Sequence, residues 1–163
     1  MLFSSLNGKN YLYNKNLKDL LNEIVNGSSN GRLLGNPTLA IGSTSAAKVK
    51  TSAFDYVKDG VFHTVASAET AFTETDHDIA DGYEAIYNLA LKLADDTFVI
   101  TMGTAAETGV DTVVAPSTPV GHLKLGEVKI VSDGAAFDAS TTLLDAGTVT
   151  DTYTSKTDTF SLS

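Results

Sequence analysis

The sequence predicts a mainly β protein, a single β-sandwich or small β-barrel domain with an N-terminal amphipathic helix that serves as an arm. Three observations carry this. From Tyr83 to Leu93 every second residue is apolar, with Glu84, Asn88 and Lys92 between, and Phe98, Ile100 and Met102 continue the alternation after Asp95-Asp96. The dipeptide Asp59-Gly60 separates two β-branched and aromatic runs, a strong signal for a two-residue hairpin. Short runs of this kind, punctuated by turn residues, recur from Thr38 onward, as in sandwiches and small barrels.

The first 37 residues differ from the rest. Asn16 is a suitable N-cap with Asp19 three positions on, and Leu17, Leu20, Leu21, Ile24 and Val25 follow at helical spacing until Gly27. A helix of about three turns is not stable alone, so this apolar stripe must be buried against its own domain or another subunit. The turn-rich flanks, Asn7 to Asn10 and Gly27 to Gly31, let it stand away as an arm. The chain therefore divides into an arm or attachment segment at 1–37 and a β-rich domain at 38–163, with Leu17, Leu20, Leu21, Ile24 and Val25 as candidate interface residues.

In the domain, strands are expected at 39–42, 47–51, 54–58 and 61–65, the last two joined by Asp59-Gly60. Residues 66–73 could form one helical turn. An acidic loop at 74–82 leads into the hairpin of 83–103. Helical spacing competes within 83–94 through Ile86, Leu89, Ala90, Leu93 and Ala94, but the β-branched return leg Thr97 to Thr101 favours a paired strand. A surface loop is expected at 104–118, a strand at 121–131, and two further strands at 137–142 and 149–154 around a loop at 145–147.

Composition narrows function. A net charge of −9 argues against binding a nucleic-acid backbone, which needs clustered Lys and Arg, and weakens contact with anionic lipid. The absence of cysteine removes disulfides and thiolate chemistry. Residues 1–13 are too polar for a signal-peptide core, and no apolar run is long enough to span a membrane.

The chemistry-bearing residues are dispersed. Asp76, Asp78 and Asp81 could offer oxygen ligands to Ca²⁺, but Ala80 interrupts the alternate ligand positions and no Glu closes the loop, so the EF-hand pattern fails. The expectation is a turn whose aspartates cap backbone amides. His63, His77 and His122 are too widely spaced to suggest chelation and read as surface or half-buried positions. No nucleophile elbow, phosphate loop or dinucleotide fingerprint occurs, so no cofactor is expected. A hydrolase using Asp78 and Glu84 is the minor alternative.

Taken together, the hairpin at Tyr56 to Phe62, the stretch Pro119 to Val131 and the stretch Phe137 to Tyr153 resemble small structural proteins of tailed bacteriophage virions, over roughly 46–160. The resemblance implies a non-enzymatic capsid decoration, auxiliary head or head-fibre protein, made in the host cytoplasm and carried on the outside of the phage head. It implies the major capsid protein or other virion proteins as partners, and a homo-oligomer, by analogy a trimer. A fibre or adhesin module recognising a host surface is the alternative; grouped exposed aromatics would favour it.

Overall fold

The Asp59-Gly60 turn forms as the sequence predicts. Both residues have positive φ, 52° and 74°, as a type I′ turn requires. They join strand β4 (Phe54–Lys58) to β5 (Val61–Val65) in the register Lys58↔Val61. This computed structural model describes residues 31–42, 47–73 and 75–156. The arm positions Leu17, Leu20, Leu21, Ile24 and Val25 lie outside the described residues.

The remaining strands are β1 (Arg32–Leu33), β2 (Leu39–Ile41), β3 (Lys48–Thr51), β6 (Ala68–Ala71), β7 (Tyr83–Lys92), β8 (Thr97–Met102), β9 (Ala106–Glu107), β10 (His122–Ser132) and β11 (Val149–Ser155). They form three sheets: β1-β4-β5, β2-β3-β6, and β11-β10-β7-β8 with β9 also on β7. The described part is thus mainly β, without a helix. None of the sheets closes on itself, which sets aside a barrel for the described residues. One core joins all three: Leu33, Phe54 and Tyr56 from the first, Leu39 and Val49 from the second, and the apolar face of β7 and β10 from the third.

Strand β10 holds its face through an irregularity that the sequence hints at. Leu123 and Leu125 are buried at odd positions, and Val128 and Ile130 at even ones. A single parity cannot place all four on one face. The pairing with β7 shifts between Lys124 and Gly126, inserting one residue and restoring the apolar face to the core.

Several expectations need correction. Residues 66–73 do not make a helical turn: β6 pairs with β3 in the register Thr51↔Ala68 to Lys48↔Ala71, because the Ala and Glu that favour a helix locally lie beside a strand needing a partner. Residues 137–142 hold no strand beyond a single bridge from Phe137 to Ile79; Asp138 instead turns the chain, accepting from the backbone and hydroxyl of Ser140. The β fold also begins inside the 1–37 segment, since Leu33 is buried and pairs with Tyr56.

The loop at 104–118 is more than a surface connector. It supplies β9, bridges Thr104 to Val114, and lies over the second face of β7, where the hydroxyl of Thr118 receives a 3.0 Å hydrogen bond from Asn88. That contact covers Asn88, and Ala90 on the same face is buried too, along with Tyr87, Leu89 and Leu91 on the other. The expectation of one buried face on this strand therefore holds only for its apolar side.

Candidate functional site

The acidic loop folds as a set of backbone clamps. Ile79 and Phe137 exchange backbone hydrogen bonds at 3.0 and 2.9 Å, bringing residues 78–82 beside 133–139. On either side of that bridge, Asp78 accepts from the Ala139 amide and Asp81 from the Gly134 amide, each at 2.8 Å. Carboxylate acceptors for amides that would otherwise lack protein partners are strong, charge-assisted bonds. These clamps tie segments far apart in sequence, whereas the sequence suggested only local capping.

Beneath the clamps sits an aromatic cluster. Phe72 packs edge-to-face on Tyr87, Phe137 and His77, with ring centroids 4.9, 5.8 and 5.9 Å away. Tyr87, fully buried, donates its hydroxyl to the carbonyl of His77 at 2.6 Å. Burial raises the Tyr87 hydroxyl above its ordinary pKa, so it remains a donor throughout the neutral range.

His77 is the residue that the sequence reading misplaces. It is neither a surface nor a half-buried side chain but a buried one, 5% exposed. Its Nδ1 accepts from the Thr73 amide at 2.7 Å, which leaves the proton on Nε2, hydrogen-bonded to the Ile100 backbone. Burial depresses its pKa, more than neighbouring Asp76 and Asp78 raise it.

A pH dependence follows. The unfolded chain takes up a proton near pH 6.5 and the folded chain only at lower pH, so this contribution is complete above about pH 6.5 and is lost as pH falls through the folded value. The urea midpoint of the wild type is expected to fall between pH 7.5 and pH 5, above the window where carboxylates titrate. His77→Gln, which keeps an acceptor for Thr73, is expected to flatten that slope. A wild-type midpoint constant over this range would mean that His77 is not held neutral.

A second cluster joins the two hairpins. Asp95 accepts from Lys92 at 2.7 Å and from the Thr97 hydroxyl at 2.6 Å, and these bonds, that of Lys92 first, hold its carboxyl down at about 2. Asp96, at positive φ, accepts from the hydroxyl of fully buried Tyr56. The turn of the central hairpin is thereby fastened to strand β4.

The remaining candidates are scattered. Glu84 is buried and paired with Lys129 at 2.8 Å on the second face of β7, while Asp78 is engaged with Ala139, so the hydrolase pair is occupied by structural contacts. His63 stacks on Tyr56 at 5.1 Å, and His122 Nδ1 lies 3.0 Å from the Val120 carbonyl. Among the described residues no three His, Asp or Glu side chains converge as a metal centre. Tyr56 and Tyr87 are in the core, leaving no group of exposed tyrosines among the described residues of the kind an adhesin reading would need. Large exposed apolar side chains do occur: Val110, Val114 and Val120 on loops, and Val61 and Phe62 side by side on β5, 57% and 76% exposed.

No family model, curated protein or solved structure matches this chain.

Proposed function

We propose that this protein is a non-enzymatic structural component of a tailed-phage virion, a capsid decoration or auxiliary head protein bound to the major capsid lattice. The observation that supports it most is how the titratable side chains are used. Asp78, Asp81, Asp95, Asp96, Asp138 and His77 each close a loop or fasten one segment to another. A chain that invests its carboxylates in loop closure is built for persistence on an exposed particle rather than for turnover.

In this reading the three open sheets form a sandwich-type body. The resemblance-bearing stretches supply much of its centre, with Tyr56, Val128, Ile130 and Phe137 at 0–1% exposure. The sequence stripe Leu17, Leu20, Leu21, Ile24 and Val25 is the attachment and oligomerisation segment, and a trimer multiplies modest contacts into tight lattice binding.

Co-sedimentation with purified empty phage heads tests this. The wild type is expected to pellet with heads, and the double variant Leu20→Asp, Ile24→Asp to remain in the supernatant with an unchanged urea midpoint. Failure of the wild type to bind heads overturns the decoration reading. A lowered midpoint in the variant would instead assign the stripe to the core.

A further inference from the structure

We propose that β5 is a self-pairing edge, through which two copies of this chain join by antiparallel β5–β5 pairing centred on His63. This does not rest on the virion reading. The β4 ladder fixes which backbone groups of β5 have no partner among the described residues. Gly31 and Leu34 donate to the carbonyls of Val57 and Asp55, so these β4 residues face β1, and Phe54, Tyr56 and Lys58 face β5. Their partners Val65, His63 and Val61 therefore use their amides and carbonyls within the hairpin. Phe62 and Thr64 direct theirs outward, and among the described residues β5 pairs with β4 alone.

Those outward groups complement themselves. In an antiparallel pair about a two-fold axis at His63, Phe62 of one copy lies opposite Thr64 of the other, and the reverse. Both are hydrogen-bonded pairs, making four bonds around a non-hydrogen-bonded His63 pair. The two Phe62 rings become diagonal neighbours on one face, within reach of each other, and each covers Thr64 of the other copy. This would remove from water a phenyl ring that is otherwise 76% exposed.

Charge singles out β5 as the edge that a second copy can meet without repulsion between the paired strands. In a two-fold pairing each strand meets itself, so an acidic strand repels its partner, and this chain carries −9. Strand β5, Val-Phe-His-Thr-Val, has no Asp, Glu, Lys or Arg. The other edges are guarded. Strands β6 and β11 carry Glu69 and Asp151, β1 and β9 have only two residues each and include Arg32 and Glu107, β8 is met at Ile100 by His77, and β2 at Leu39 by Ser155. Proteins commonly protect edges with charge, proline, a bulge or a cover, and among the described residues β5 has none of these.

The natural absence of cysteine makes the register testable on the full chain. Cα atoms of a non-hydrogen-bonded antiparallel pair stand about 4.5 Å apart, within disulfide reach. With oxidised glutathione as the oxidant, His63→Cys is expected to form a cross-linked dimer at least tenfold faster than Thr152→Cys on exposed β11. Adding Thr64→Pro, which removes an outward amide without touching the β4 ladder, is expected to return the rate to that of Thr152→Cys. Urea midpoints and far-ultraviolet spectra of the variants establish that they are folded. Equal rates for His63→Cys and Thr152→Cys, or a rate indifferent to Thr64→Pro in the folded variant, would overturn the proposal.

Discussion

Tyr87→Ala is expected to lower the unfolding free energy by about 3–5 kcal/mol, the range for removing a large buried aromatic. Typical domain stability is only about 5–15 kcal/mol, so this variant would stand near the limit of folding. The ring fills the space between Phe72 and His77, in edge-to-face contact with both, on the central strand of the largest sheet. Truncation leaves a cavity where three chain segments meet, and it strips the His77 carbonyl of its 2.6 Å donor. The two contributions are separable. Tyr87→Phe retains the packing and loses the hydroxyl, and is expected to cost about 1–3 kcal/mol, the penalty of one buried unsatisfied group. Urea unfolding monitored by far-ultraviolet circular dichroism measures both. Equal losses for Ala and Phe would mean that the hydrogen bond, rather than the ring, anchors the loop.

This cluster also marks where the sequence stops being legible. Features set by neighbours along the chain could be read: the Asp59-Gly60 turn depends on two residues, and the alternation from Tyr83 to Met102 on one hairpin. What depends on distant segments could not. His77, between Asp76 and Asp78, has the local composition of a solvated loop, and it is the packing of Phe72 and, from distant strands, of Tyr87 and Ile100 that buries it. The acidic loop was legible as a capping turn, but its amides come from Gly134 and Ala139, more than fifty residues away. Strand β1 is too short to show a period, and β6 is strand because β3 lies beside it, against the preference of Ala and Glu for helix. The free edge of β5 is an intermediate case. Its uncharged residues are plain in the sequence, yet only the sheet order reveals that one side of the strand is unpaired.

Gly103→Ala is expected to destabilise the protein by roughly 2–5 kcal/mol, although glycine-to-alanine changes in extended chain are often harmless. The reason is space. Gly103 donates to the Ile86 carbonyl at 2.8 Å, and a Cβ there would lie 2.2 Å from the carbonyl oxygen of Val114 and 3.2 Å from Cδ of Pro116. A flexible side chain could swing aside, but Val114 is held by its bridge to Thr104. The 104–118 segment must therefore lift from β7, straining the 3.0 Å bond between Asn88 and Thr118. Asn88 is fully buried and its Oδ1 already has no protein partner, so losing that bond would leave the whole amide unsatisfied on the central strand. Overpacking contributes about 1–3 kcal/mol and the stranded amide a similar amount. Gly147→Ala is the control: no atom lies within 4 Å of its Cβ position, and its midpoint is expected to stay within about 0.5 kcal/mol of the wild type. Hydrogen exchange locates the damage. The Gly103 amide should exchange faster in Gly103→Ala while the β4–β5 hairpin keeps its protection, because the loop shields the second face of β7 and does not touch that hairpin's ladder. A variant as stable as the wild type would show that residues 104–118 can move off the sheet at little cost, and that the buried polar face of β7 does not depend on them.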